Sequence, residues 1–501
     1  MFVRKKVNKS GVVSVQVIAK LSGKSKLIRT IGSSRDKSEI EDFAEMGNQF
    51  IATFGGQKTF DFSDEFNLLK SVFQSISSHT EVGTQLLLGK IFDDIGFNAI
   101  KEDIFRQLVL SRLTYPVSKL RTSGYLDRYH AVAYPVQQIY RYMDKLHSRQ
   151  KELVQQISYE HTQKILGGQI SVVFYDVTTL YFEIDHEDEL RKTGFSKEGK
   201  HQNPQIVLGL LVSRNGYPLA YDVFEGNKFE GHTMLPVLDS FREKYNLDQM
   251  IIIADSGLLS NANINALQSG GYEFILGARI KNEKRDIQRK ILSLELSNGD
   301  SAVVQKGNLC LIVTYSDNRA KKDLINREKG LKKLEKRIKA GRLTKSNINN
   351  RGYNKYLKME GEVNIEINYS RFEADGAWDG LKGYLTNANL SKEEIIENYG
   401  HLWLIEKAFR ISKTDLKIRP IYHRLQHRIE SHICISFVAY KIYKELERQL
   451  KEKQSSISPE KAIEIAKTIY QVKAKTNNGE VSHIMLISKE QQNLAKLFNF
   501  G

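Results

Sequence analysis

Cysteine is nearly absent from this chain of 501 residues, which has only Cys310 and Cys434. Two such thiols offer neither a metal-ligand spacing nor a disulfide framework, and they suit a reducing cytoplasm. Long apolar runs are missing as well. The longest, such as "IVLGLLV" (206–212), are strand length, far short of the roughly 20 residues of a spanning helix. No membrane partner is expected. The N-terminus, "MFVRKKVNKSG", is basic but lacks the apolar stretch of a signal peptide. Acids are in deficit, 59 against 75 Lys and Arg, for a formal net charge of +16. That excess makes a polyanion the expected partner, with nucleic acid favoured over a membrane surface.

What is present is enough apolar material for a sizeable core, 41% hydrophobic with 10% aromatic. The length suggests about three domains. Residues 1–60 open with two alternating runs, "VVSVQVIAKL" and "KLIRTIG", split by the turn-like "SGKS", and read as a β-hairpin module with a linker. Residues 61–165 are helical in pattern, with apolar residues at i, i+3 and i+4 in "TQLLLGKIFDDIG", "IFRQLVLSRL" and "VQQIYRYMDKLHSRQKELVQQI". Basic and aromatic residues interleave there (Arg106, Arg112, Lys119, Arg121, Tyr140, Arg141). The mix suits DNA contact or a solvated helix face.

From 166 to 280 the pattern changes. "VVFYDVTTLYFE", "NPQIVLGLLVS" and "YPLAYDVFE" read as strands, the last two joined through Asn215-Gly216, a strong hairpin signal. A helix over about 232–246, the strand "MIIIAD", another helix and the strand "YEFILGARI" follow. This is the element order of a ribonuclease-H-like α/β fold, a mixed sheet flanked by helices. Residues 281–375 read as a β-rich insertion around the lysine-rich helix "REKGLKKLEKRIKAG", whose Leu331, Leu334 and Ile338 form one apolar stripe. The core resumes over 376–450 with one long helix, "SKEEIIENYGHLWLIEKAFRISKTDL", which Ser391 caps with Glu394 three residues on. A lysine-rich helical tail fills 451–501.

Three acids stand out by position. Asp176 interrupts a strand that is apolar on both faces, where an unpartnered charge is costly. Asp255 closes "IIIAD" at the carboxyl end, where open α/β sheets place ligand-binding groups. In the expected sheet order their strands are neighbours. Glu406 shares a helical arc with Tyr399, Leu402, Arg410 and Lys413. Close carboxylates repel unless a cation balances them. Oxygen ligands without His or Cys select Mg2+ or Mn2+, and two such ions support phosphodiester displacement. Basic residues on the same helix would then hold the phosphate backbone. Taken singly, Asp176 reads as a turn cap, Asp255 as a helix cap and Glu406 as a surface acid.

The stretches "FYDVTTLYFE", "GLLVSRNGYPLAYDVFEGN", "IIIADSGLLS", "DGLKGYLTN" and "YGHLWLIEKAFRISKTDLKIRPIYHRLQHRIESHI" resemble an insertion-sequence DDE transposase of the IS-four-like superfamily. The resemblance covers roughly 170–440. It implies that Asp176, Asp255 and Glu406 are a catalytic, metal-binding triad for two Mg2+ or Mn2+ ions. It implies an insertion domain between Asp255 and Glu406, 151 residues apart. The superfamily signature of Tyr, two residues, Arg, three residues, Glu, six residues, Lys is met by Tyr399, Glu406 and Lys413. Leu402 stands at the arginine position, and Arg410, one turn on, is a candidate to supply the charge. Asn227 and Lys228 match a segment near the active site, or are plain turn residues.

His423, Arg424, His427 and Arg428 read as a basic helix facing DNA or flanking the sheet, in preference to a zinc site without a third ligand. Trp403 is expected in the core, and Trp378 is open between core and base stacking. The implied activity is cleavage of the element's terminal inverted repeats and joining to target DNA, by at least a homodimer in the synaptic complex. The implied location is a bacterial-type cytoplasm, at the nucleoid. The alternatives are a ribonuclease-H-like nuclease or resolvase without strand transfer, or an inactive DNA-binding relic. A glycosidase with paired carboxylates fits poorly, since it leaves the basic charge without a role.

Overall fold

The computed structural model describes residues 1–21, 23–54, 63–196, 199–247, 249–349, 352–360, 364–476 and 479–501. The chain divides into two compact units, Met1–Ser78 with Lys473–Ser482, and His79–Val472 with His483–Gly501. In the first unit the expected hairpin carries a third strand. β1 (Phe2–Val7), β2 (Val13–Leu21) and β3 (Lys24–Ser34) form an antiparallel sheet with β2 in the middle. The basic run "FVRKKV" is the added strand, every residue of it paired with β2. Val15, Val17 and Ile18 are buried together with Ile40 of the helix Lys37–Thr53. Asp36 caps that helix by accepting from the amides of Ser38 and Glu39. The chain leaves the unit through the helix Ser63–Ser75 and strand β4 (Ile76–Glu81).

The second unit is built on one eight-stranded sheet. Its strands are β5 (Val172–Tyr181), β6 (Gln205–Ser213), β7 (Pro218–Glu225), β8 (Ile251–Ala254), β9 (Glu273–Ala278), β10 (Ser301–Lys306) and β11 (Leu309–Tyr315). After β12 (Leu357–Glu360) and β13 (Asn364–Ile367), which pair only with each other, β14 (Leu381–Thr386) completes it. The order is β10-β11-β14-β9-β8-β5-β6-β7, with β5–β8 and β8–β9 parallel and every other pair antiparallel. The run β7-β6-β5-β8-β9 is the order expected of a ribonuclease-H-like core, with the first and fourth strands adjacent. The turn between β6 and β7 uses Gly216 at φ +79°, as the Asn-Gly signal requires.

Both faces of this sheet are covered. One apolar core takes Val173, Tyr175 and Val177 of β5 and the helix Met234–Tyr245. The other takes Val172, Phe174 and Leu180, together with helices from both ends of the unit. Its hub is the helix Gln426–Glu452, buried along most of its length and packed on the helices Asp103–Thr114, Val136–Arg149 and Lys151–Ile165. Strands that surface alternation alone assigns to an insertion join the core instead, because β11 pairs with β14 from Cys310–Thr386 to Tyr315–Leu381. The remainder of that stretch forms the helix Asp317–Lys339 and the β12–β13 hairpin around a small core of Leu334, Tyr356, Leu357 and Ile367. Leu331 and Ile338 of the expected stripe pack against it.

Two further expectations change. After Glu452 the chain is not wholly helical: β15 (Tyr470–Thr476) and β16 (Gly479–Met485) lie between the helices Pro459–Ala466 and Lys489–Phe498. The alternation in "YQVKAKT" sits within a lysine-rich stretch and is easily read as a solvated helix. The long helix after Ser391 is two, Lys392–Gly400 and Trp403–Thr414, although the Ser391–Glu394 capping box is formed. Three-residue backbone bonds at the junction, such as Leu404 N–H to His401 O at 2.9 Å, tighten the chain and reset its phase. Among the described residues no helix is long and apolar enough to cross a membrane.

Candidate active site

The parallel pairing of β5 with β8 ends at Tyr175 opposite Ala254. One residue further along each strand stand Asp176 and Asp255. Side chains alternate along a strand, so Asp176 follows the face of Phe174 and Asp255 the face of Ile253. Those two residues belong to the same core, the one covered by Trp403–Thr414. The two aspartates, 79 residues apart in sequence, each stand one residue past the last pair of this parallel ladder. Asp176 is half-buried in a strand whose neighbours are buried, while Asp255 is exposed beyond the end of β8. Each carboxylate accepts from the amide that follows it, Val177 N–H at 2.7 Å and Ser256 N–H at 2.6 Å.

A tyrosine and a lysine frame Asp255. Tyr399, buried at the end of Lys392–Gly400, brings its hydroxyl to 3.5 Å from Asp255 Oδ1. It reaches there over Gly277 of β9, where a Cβ would stand 2.4 Å from the hydroxyl and 3.0 Å from Ser256 N. Across the sheet Tyr384 lies opposite Gly277, and its ring is 4.7 Å from that of Tyr399. The Lys382 ammonium lies over both rings, 4.6 Å from Tyr399 and 5.1 Å from Tyr384. Burial, then Arg319, lowers the Lys382 pKa, while Asp255 and Glu406 pull it back up. Burial, then the charge on Asp255, raises the Tyr399 phenol well above its ordinary value, with Glu406 contributing last.

Glu406 is exposed in the first turn of Trp403–Thr414, where an acid is favoured by the helix dipole. Ile405, Ala408, Phe409 and Ile411 bury the opposite side of that helix against β5 and β6. Glu406 is therefore within electrostatic reach of the residues that frame Asp255. The donors available are all hard carboxylate oxygens, which fit Mg2+ or Mn2+ and not a softer metal. Among the described residues no three or more His, Cys, Asp or Glu side chains are placed so that they could hold a metal ion, so Asp176, Asp255 and Glu406 do not stand together as one ligand group. The chemistry of the donors fits a divalent ion, with the carboxylates turned onto their own backbone.

The other expected residues are placed as follows. Leu402 is buried in the core beside Tyr399, so an apolar residue there docks the junction between the two helices. Arg410 is exposed and Lys413 half-buried on the same helix. Lys228 is exposed, its amide closing a turn onto Glu225 O at 2.9 Å. Arg424 is exposed, but Arg428 is committed to Asp144 through two bonds of 2.5 and 2.8 Å. His427 joins it at 2.9 Å. The helix begins at Gln426, so His423 and His427 do not share a helical face, and His423 packs beside His432. Trp403 is 52% exposed, not core, because the helix restarts at that residue; Trp378 is 9% exposed and buried. Gly277, Lys382 and Tyr384 are additions that the sequence reading did not single out. The alternation of Lys382 with Tyr384 in "LKGYLT" was the available signal.

Residues 167–442, more than half of the chain and spanning all three acids, match the family described as "Transposase DDE domain". No curated protein matches the chain. Among solved structures it is similar to the piggyBac transposase in a cryo-EM synaptic complex with hairpin DNA. Identity is 10%, over 80% of this chain and 79% of that one, with a TM-score of 0.39.

Proposed function

Because the chain belongs to the Transposase DDE domain family, we propose that it is a DNA transposase of the IS-four-like kind, cutting the ends of its own element and joining them to target DNA. The observation that carries this reading is the step in register from Tyr175 and Ala254 to Asp176 and Asp255. It supports a pair of neighbouring carboxylates at the carboxyl end of a parallel strand, on a rigid sheet. Mg2+ or Mn2+, as two ions, would supply activation of the attacking hydroxyl and charge for the leaving oxygen. Asp176, Asp255 and Glu406 would hold those ions, and the two aspartates must first release the amides of Val177 and Ser256.

The chain's own groups do the rest. Tyr399 steadies Asp255 from one side, and Lys382 offsets the negative charge that Asp255 and Glu406 gather there. Arg410, Lys413, Lys228 and Arg424 bear on the DNA backbone, which accounts for part of the charge excess. Holding two element ends at once takes at least two copies of the chain. The test uses purified protein, linear DNA carrying the element ends, and Mg2+. Nicked and joined products are expected, and Asp176→Asn should lower both steps by at least about 100-fold, the cost of losing one preorganised group. Band-shift binding should be unchanged. Cleavage that survives in Asp176→Asn removes Asp176 from the site, and cleavage without joining favours a nuclease or resolvase.

A further inference from the structure

Away from the carboxylates, a cavity of about 530 Å³ opens where Asp103–Thr114 and the start of the helix Lys119–His130 meet the segment 417–423. Small-molecule sites run roughly 300–1,000 Å³, so the space admits a nucleotide. Its lining includes Arg112, Lys119, Arg121, Lys417, His423 and His432, and no acid among the described residues. Arg112 is 5% exposed and Lys119 is 4% exposed. Arg112 meets only neutral groups: Leu416 O at 3.5 Å, Lys417 O at 3.3 Å and His432 Nδ1 at 3.4 Å. Its Nε has no partner. His432 donates Nε2–H to Ile418 O at 2.8 Å, which leaves Nδ1 to accept and keeps the ring neutral. Lys119 has no carboxylate partner among the described residues, and the charge that acts on it is that of Arg112.

Two buried cations side by side without an anion are costly, and the cost falls when an anion enters. Burial pulls Arg112 down to about 10, and burial with Arg112 pulls Lys119 well down. His423 is driven to about 3 by burial and by the same two cations. The amino end of Lys119–His130, capped by Ser118, adds its dipole to the same wall. An arginine fork, an ammonium and a helix amino terminus together are the donor set for a phosphate.

We propose that this cavity is a phosphate-binding site, separate from the carboxylate face, that takes one phosphate of a nucleic-acid strand with its nucleotide. The choice of nucleic acid rests on the transposase reading; the phosphate chemistry does not. The same segment carries Arg419, whose guanidinium lies 5.5 Å from the Tyr181 ring at the far end of β5. Tyr181 is five residues from Asp176, about 17 Å at strand rise and about five base-pair rises of DNA. A nucleic-acid strand that ran along β5 from Asp176 would come to Arg419, the neighbour in sequence of the cavity-lining Pro420.

The test uses the full chain in a metal chelator, where no cleavage occurs, so its outcome is independent of catalysis. Thermal unfolding is followed with inorganic phosphate against chloride at matched ionic strength, and binding with a fluorescent single-stranded 12-mer. Phosphate should raise the wild-type midpoint. Lys119→Met should raise the phosphate-free midpoint by removing an uncompensated charge. The same variant should lose the phosphate response and bind the 12-mer roughly 10-fold more weakly, the size of one charge-assisted contact. A wild-type midpoint indifferent to phosphate, or a Lys119→Met variant less stable without phosphate, overturns the site. A lost phosphate response with unchanged 12-mer affinity overturns the nucleic-acid assignment and leaves a free-phosphate pocket.

Discussion

Gly277 has no side chain because the Tyr399 hydroxyl needs the space. An added methyl would stand 2.4 Å from that oxygen, itself 3.5 Å from Asp255 Oδ1, and 3.0 Å from the backbone nitrogen of Ser256, the residue after Asp255. Gly277→Ala should cost about 1–3 kcal/mol of stability, as overpacking does. Strand joining should fall further than the stability loss explains, since the displaced group borders Asp255. The check is a comparison of melting midpoint with joining rate measured well below that midpoint. At this scale the sequence is legible where a residue contradicts its surroundings. Asp176 breaks an apolar strand and Asp255 ends one, so both could be singled out. Gly277 and Lys382 contradict nothing locally, and their meaning comes from a tyrosine more than 100 residues away or an acid on another strand. Trp403 misleads for a different reason: an apolar ring in a helical pattern reads as core, but the tightened turn at His401 rotates it outward.

Among elements, the identity of the first five core strands follows from alternation and turn signals, and their order from the likeness of the element sequence to a ribonuclease-H-like fold. The partners of β10 and β11 do not, because Cys310 pairs with Thr386 and no local signal spans that distance. The pairing has a mechanical consequence. Leu311 is fully buried against Leu385, its partner in register. Leu311→Ala should destabilise by about 2–5 kcal/mol, and the whole unit should melt earlier in one transition. Two separated transitions in calorimetry would mean that residues 301–315 form a module of their own. The break after Gly400 escapes a periodicity reading too, since apolar residues continue at helical spacing on both sides of it and no proline marks the junction.

For the molecule as a whole, the net charge of +16 predicts that affinity for DNA falls steeply with salt. Binding titrations at several salt concentrations should give a linear log–log plot, and Arg424→Ala, an exposed site, should reduce its slope by about 1. Acid should act through buried histidines. His161 is held at about 4 by burial and by the nearby Lys441 charge, below the ordinary 6.5. Its folded pKa is depressed, so the unfolded chain binds more protons between those values and stability falls as pH drops from about 6.5 toward 4. His161→Phe, which keeps a ring against Tyr217, should flatten that part of the profile. An unchanged slope of midpoint against pH would assign the acid loss to other groups.

The central sheet also sets a timetable for chain growth. β9 pairs with β8 on one side and with β14 on the other, and β14 begins 103 residues after β9 ends. At ~5–20 residues per second, translation needs roughly 5–20 s to cross that gap. During it both aspartates are already out, β9 shows an unpaired edge, and the β10–β11 hairpin has nothing to join. Glu406 follows only after β14. The nascent chain thus passes through an interval in which it exposes an adhesive strand edge before its third acid exists, and expression speed or chaperone supply in that interval decides how much of it reaches the finished fold.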